Sequence, residues 1–232
     1  MIRWALILGW LAAVPSVRAA EPDPGGRLVY FDAATNATLD PVEPQSNSSV
    51  SQAALLAIYD PLVKLTDAGE PVPGLAKSWT YNADLTEFTM TLRPGVTFHD
   101  GAKLDAAAVV KNLQRSIDLG GRTGASTQEI TSKISGIKAQ GEDVVVVTLK
   151  AANGQIPFLL AMQPGMMISP ASLTEGAFGG TLKPVGAGPY IGCGSLRRRC
   201  ALRWIVSTNT GAERRDGRRR LLNNTFRKAG QG

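Results

Sequence analysis

The stretch Thr86-Glu87-Phe88-Thr89-Met90-Thr91-Leu92-Arg93-Pro94-Gly95 decides how the middle of this chain folds. Successive side chains of a strand point to opposite faces, so Phe88, Met90 and Leu92 share one side and Glu87, Thr89 and Thr91 the other. The alternation predicts a half-buried strand, entered from the turn Asn82-Ala83-Asp84 and left through Arg93-Pro94-Gly95. On its C-terminal side, Asp105 is a good N-cap for a helix carrying Val109, Val110, Leu113 and Ile117 along one side and ended by Gly120-Gly121. Gly141-Glu142-Asp143 then turns into Val144 to Leu149, a near-continuous β-branched strand. On the N-terminal side, Leu28 to Phe31 reads as a short buried strand and Asn36 to Pro44 as turn. Ser48 or Ser49 can cap a helix carrying Val50, Ala53, Ala54, Ala57 and Ile58, which Pro61 stops. Leu62 to Leu65 is a further strand, closed by Asp67-Ala68-Gly69. Strands and helices interleave, so the body is α/β or α+β rather than a bundle or a sandwich. No internal repeat is present.

The chain has 232 residues, 44% of them apolar, enough for a domain-sized core. Its net charge of +6 is unevenly spread. Up to Gly192 there are 14 Lys and Arg against 17 Asp and Glu; from Cys193 onward there are 11 against 2. The basic character belongs to the last forty residues, so it does not make the whole chain a nucleic-acid binder, and no nucleic-acid partner is expected. Both cysteines, Cys193 and Cys200, lie in the same stretch at a spacing that matches no common zinc or redox motif. At the other end, Arg3 precedes the apolar run Trp4 to Val14, Pro15 breaks it, and Val17-Arg18-Ala19 offers small residues at a cleavage site. The run is too short to span a bilayer. It reads as a signal peptide over residues 1–19, which sends the mature chain to the periplasm; no cysteine follows the run to accept lipid.

Catalytic apparatus is missing from the sequence. His99 is the only histidine, and no Ser, Cys or carboxylate pattern marks an oriented partner for it. It is expected to satisfy a turn hydrogen bond. Gly186 and Gly188, flanking Pro189, lack the downstream Lys-Ser/Thr of a phosphate-binding loop and read as hinge-side backbone. Neither G-x-S-x-G nor H-E-x-x-H occurs. The sequence offers no catalytic case: no enzyme, cofactor or metal is expected.

Five fragments carry a family resemblance in their order and spacing. They are Leu39-Asp40-Pro41; Tyr59-Asp60-Pro61-Leu62-Val63; Val72-Pro73-Gly74-Leu75-Ala76-Lys77-Ser78-Trp79; Phe88 through Gly101, ending Phe98-His99-Asp100-Gly101; and Pro184-Val185-Gly186-Ala187-Gly188-Pro189-Tyr190. The chain resembles the extracellular solute-binding proteins, family 5, of peptide and nickel ABC importers. It departs from the family pattern at Ala106-Ala107-Ala108-Val109, where Ala-Glu-Asp-Val is usual, and at Ala187, where Thr is usual. The resemblance implies the first lobe of a periplasmic-binding-protein-like type II fold, in proteins whose two lobes close on a solute by hinge motion. It implies a peptide or other small solute as ligand, an inner-membrane ABC permease as partner, and a monomer. It also places the segment after Leu39-Asp40-Pro41 at the cleft, making Gln45, Ser46, Asn47 and Ser48 the candidate ligand-binding residues. Short polar side chains and free backbone groups suit an extended peptide, whose main chain needs partners while its side chains vary. The same cluster also reads simply as a loop and helix cap.

Beyond Tyr190 the resemblance stops. Arg197-Arg198-Arg199, Arg214-Arg215 and Arg218-Arg219-Arg220 dominate a stretch with little apolar periodicity. Three readings stay open: a shift of reading frame near Ile191 to Gly194, a solvated basic tail for anionic partners, or a short variant whose tail packs. The expected organisation is a signal peptide over 1–19, part of an N-terminal lobe over 20–192, and a basic tail over 193–232 that is disordered or out of frame. A chain of this kind is expected to be truncated and impaired in solute capture, or to be vestigial.

Overall fold

A computed structural model describes residues 27–30, 39–47, 49–173, 184–193 and 200–204; the expected signal peptide lies outside them. In chain order, strand β1 is Arg27–Tyr30, helix α1 Ser49–Ile58, β2 Val63–Leu65, β3 Pro71–Pro73, β4 Ala76–Tyr81 and β5 Glu87–Leu92. Helices α2 (Ala106–Leu119) and α3 (Ala125–Lys133) follow, then β6 Ile134–Gln140, β7 Val144–Leu149, α4 Ile156–Leu160, β8 Tyr190–Cys193 and β9 Cys200–Trp204.

The alternating stretch becomes the inner strand β5 of an antiparallel four-stranded sheet ordered β4-β5-β7-β6. Phe88 lies opposite Val147 and Met90 opposite Val145, so the two apolar rows share one face. Phe88, Met90, Leu92, Val145 and Val147 are all buried, and each such side chain taken from water contributes roughly 1.5–3 kcal/mol. Helix α2 covers that face. Its N-cap forms as the sequence requires: Asp105 Oδ1 accepts from the Ala108 N–H at 2.8 Å. Val109 and Leu113 enter the same cluster as the sheet, with Leu62, Leu75, Ile130, Ile156 and Met167. Gly120 is the C-cap, its N–H returning to the Ile117 and Ser116 carbonyls.

A second, smaller cluster gathers Leu39, Leu55, Ile58, Tyr59, Met166, Ile168 and Tyr190 around α1. The segment Met166–Ser169 belongs to no strand, yet its backbone groups find partners. The buried Asn112 of α2 accepts from the Ile168 N–H at 3.0 Å and donates to the Ile168 carbonyl at 2.8 Å. One side-chain amide thus satisfies a donor and an acceptor that would be costly to leave bare.

The remaining sheet is ordered β1-β9-β8. Cys200–Trp204, within the stretch 193–232 expected as a basic tail that is disordered or out of frame, forms its central strand, Leu202 lying opposite Leu28 on one side and Gly192 on the other. Backbone pairing explains the difference. A ladder needs unpaired N–H and C=O groups on both flanks, which β1 and β8 supply, and makes little demand on apolar period.

Candidate functional site

The candidate segment is a short 3-10 helix, Pro44–Asn47, just ahead of α1. Ser48 lies outside the described residues, and Gln45 and Asn47 are described by their backbone alone. Ser46 is 1% exposed. Its N–H donates to the Glu43 carbonyl at 3.0 Å, and its own carbonyl accepts from Gln163 Nε2 at 3.4 Å. Gln163 is oriented in turn by Ser126, whose hydroxyl donates to Gln163 Oε1 at 3.1 Å.

The turn leading into this helix is fastened by Asp40 and Tyr59 of the motif fragments and by Arg115, which sequence reasoning did not single out. Asp40, 1% exposed, accepts both arms of the Arg115 guanidinium, at 2.5 Å to Oδ2 and 3.2 Å to Oδ1. Oδ1 also accepts the Val42 N–H at 3.1 Å, so this anion carries hydrogen bonds from both backbone and cation. The Val42 carbonyl accepts from the Gly124 N–H at 2.9 Å, and the Leu39 carbonyl accepts from the Tyr59 hydroxyl at 2.9 Å. Burial pushes the Tyr59 phenol far above its usual range; Asp40 adds to the shift and Arg115 opposes it. Tyr59 therefore stays a neutral donor. The segment 39–46 is thus tied to α1, α2, α3 and the Gln163 turn. Such multiple fastening fixes the course of the backbone over these residues.

His99 behaves as expected in kind but not in range. It satisfies hydrogen bonds, yet with a segment 89 residues away rather than within its own turn. Gly186 N–H donates to Nδ1 at 3.3 Å, which leaves the proton on Nε2, 2.8 Å from the Gly188 carbonyl. Both ring nitrogens are thus engaged by backbone groups. Ser169 donates to Asp100 Oδ2 at 2.5 Å rather than to the imidazole, and no nucleophile–base pair forms there. The neighbouring glycines are close-approach positions. A Cβ on Gly186 would sit 2.2 Å from the Ile58 carbonyl oxygen, and one on Gly188 would sit 2.6 Å from the same atom. Among the described residues no group of three or more His, Cys, Asp or Glu could hold a metal ion.

Backbone hydrogen bonds join four of the five motif fragments, and the Tyr59 hydroxyl on the Leu39 carbonyl brings in the fifth. Gly188 N–H reaches the Ile58 carbonyl, Leu75 N–H the Pro61 carbonyl, and His99 N–H the Gly186 carbonyl. Residues 70–191 match the family model of the bacterial extracellular solute-binding proteins, family 5. The chain belongs to this family. The nickel-binding periplasmic protein of Escherichia coli is 32% identical over 179 residues, 75% of this chain and 32% of that protein. The glutathione-binding protein GsiB of Pectobacterium atrosepticum is 33% identical over 81% of this chain and 35% of its own length. Among solved structures, the PBP AgaA of A. tumefaciens R10 in complex with agropinic acid superposes with a TM-score of 0.60 at 32% identity, over 68% of this chain and 31% of AgaA. The described residues form part of a type II periplasmic-binding-protein fold, in a family of solute-binding proteins rather than enzymes. The chain spans about a third of the length of the curated relatives it matches.

Proposed function

We propose that this chain supplies one wall of the solute cleft in the substrate-binding component of an ABC importer for peptides or similar solutes. In this reading it works in the periplasm as a monomer beside an inner-membrane permease. The observation that carries the proposal is family 5 membership over residues 70–191, and the relatives named for the solutes they bind support it. The wall is formed by Gln45, Ser46, Asn47 and Ser48. Ser46 is the member whose buried backbone is held by Gln163, so its part is to set the course of the chain, while backbone groups of its neighbours meet the solute.

One wall sets the expected affinity. A ligand site removes about 70–90% of a small ligand from water, and the matched part of this chain amounts to about a third of its relatives. Peptide titrated into the chain is therefore expected to bind with a Kd of about 1 mM, near 4 kcal/mol. The measurement is amide chemical-shift mapping with mixed tetrapeptides, alongside calorimetry. Shifts centred on residues 39–48 support the assignment. Shifts confined elsewhere, or none at all, overturn it; micromolar or tighter binding overturns the single-wall reading.

A further inference from the structure

We propose that His99 is a proton-releasable latch: its neutral ring pins the Gly186–Pro189 strap, which carries β8, to the Phe98–Gly101 turn, and protonation lets the strap go. The geometry is a three-bond clasp between one residue and two glycines. His99 N–H donates to the Gly186 carbonyl at 2.9 Å, Gly186 N–H donates to Nδ1 at 3.3 Å, and Nε2 donates to the Gly188 carbonyl at 2.8 Å. A second ring proton must go to Nδ1. There it would face the Gly186 N–H, donor against donor, and the acceptor of that bond is lost. The backbone on both sides is packed too closely to turn the strap aside in place, because Gly186 and Gly188 lie against the Ile58 carbonyl. The strap has two further ties that do not titrate: Ser169 N–H to the Val185 carbonyl, and Gly188 N–H to the Ile58 carbonyl.

The charged groups acting on the ring are Asp100 and Asp60. Asp100 is itself engaged by the Ser169 hydroxyl and the Ala102 N–H, and Asp60 pairs with Lys64 at 3.2 Å. Burial lowers the ionisation of His99 below its ordinary 6.5, against the raising effect of the Gly188 carbonyl and the two carboxylates. The sign follows from linkage. Folding favours the neutral ring, so the clasp contributes its full stability above pH 6.5 and loses it as pH falls through the lower folded value. The strap leads into β8, and β9 joins β8 to β1, so release of the strap loosens that three-stranded sheet while the four-stranded sheet stays closed.

A lone histidine makes the test direct, since the chain gives a single pair of imidazole nitrogen signals. Nitrogen-15 spectra of the full chain between pH 8 and 4.5 are expected to show the Nε2–H tautomer at the alkaline end. The ring should titrate below the ordinary histidine value. Amide exchange at 186–193, corrected for intrinsic rate, should rise through the same midpoint by about tenfold per pH unit below it, with β5 unchanged. His99→Gln, which keeps a donor and an acceptor but does not titrate, should abolish the step. Ring titration with no change at 186–193, an Nδ1–H tautomer at neutral pH, or a step that survives in H99Q overturns the latch. If H99Q does not fold, the wild-type ring titration and exchange profile decide the matter by themselves.

Discussion

Arg115 fastens the turn that leads into the candidate segment. Its guanidinium and the Asp40 carboxylate are 13% and 1% exposed, so the pair is largely out of water. Taking both charges from water offsets much of their attraction, and the pair as a whole adds little net stability. Removing one partner is a different matter. Arg115→Met takes from the buried Asp40 carboxylate the guanidinium that meets both its oxygens, which is expected to cost about 3–5 kcal/mol. Asp40→Asn combined with Arg115→Met should cost clearly less than the single change. Urea midpoints of the two variants against the parent check this; equal losses would mean the pair is not a unit.

At the scale of elements, α2 carries three separate duties along its length. Its start is set by Asp105, its middle reaches the Met166–Ser169 segment through Asn112, and its last turns hold Asp40 through Arg115. The cap is the least coupled of these. Asp105→Ala removes the 2.8 Å bond to the Ala108 N–H and is expected to lower stability by about 1 kcal/mol, read from denaturant unfolding with an unchanged slope. Asp105→Asn or Ser should recover most of the loss, since either side chain still accepts that bond. A loss undiminished in those two variants would show that Asp105 acts through something other than capping.

The whole molecule divides its cohesion unequally. The sheet β4-β5-β7-β6 and α2 share the larger apolar cluster, whereas among the described strands β1 has a single neighbour, β9. A chain ending at Cys193 keeps every residue of the larger cluster and removes that neighbour. Hydrogen exchange of such a chain should show fast amides at 27–30 and protection over 87–92 and 144–149 close to that of the full chain. Retained protection at 27–30 would mean that β1 is held by something other than β9.

Local pattern determined much of this protein. The period-two alternation over 86–92 gave β5 with its buried Phe88, Met90 and Leu92, and Asp105 with Gly120 bracketed α2. Pro61 closed α1, which ends at Ile58, and the β-branched run gave β7. Each signal lies within a few residues of its effect, where sterics and backbone hydrogen bonding act directly. Ordered motif fragments likewise carried the family membership. Helix α3, over Ala125–Lys133, buries only Thr127 and Ile130 and offers no comparable stripe, so it was not legible. Nor was β9, whose place depends on pairing with strands far away in sequence. Of the candidate segment, only its position after Leu39-Asp40-Pro41 could be read. Its fastening by Arg115, 75 residues on, and by Gln163, 117 residues from Ser46, was decided by tertiary structure. So was the clasp of His99 on Gly186 and Gly188. Contacts between distant residues depend on where packed elements bring side chains in space, and one-dimensional spacing carries no record of that distance.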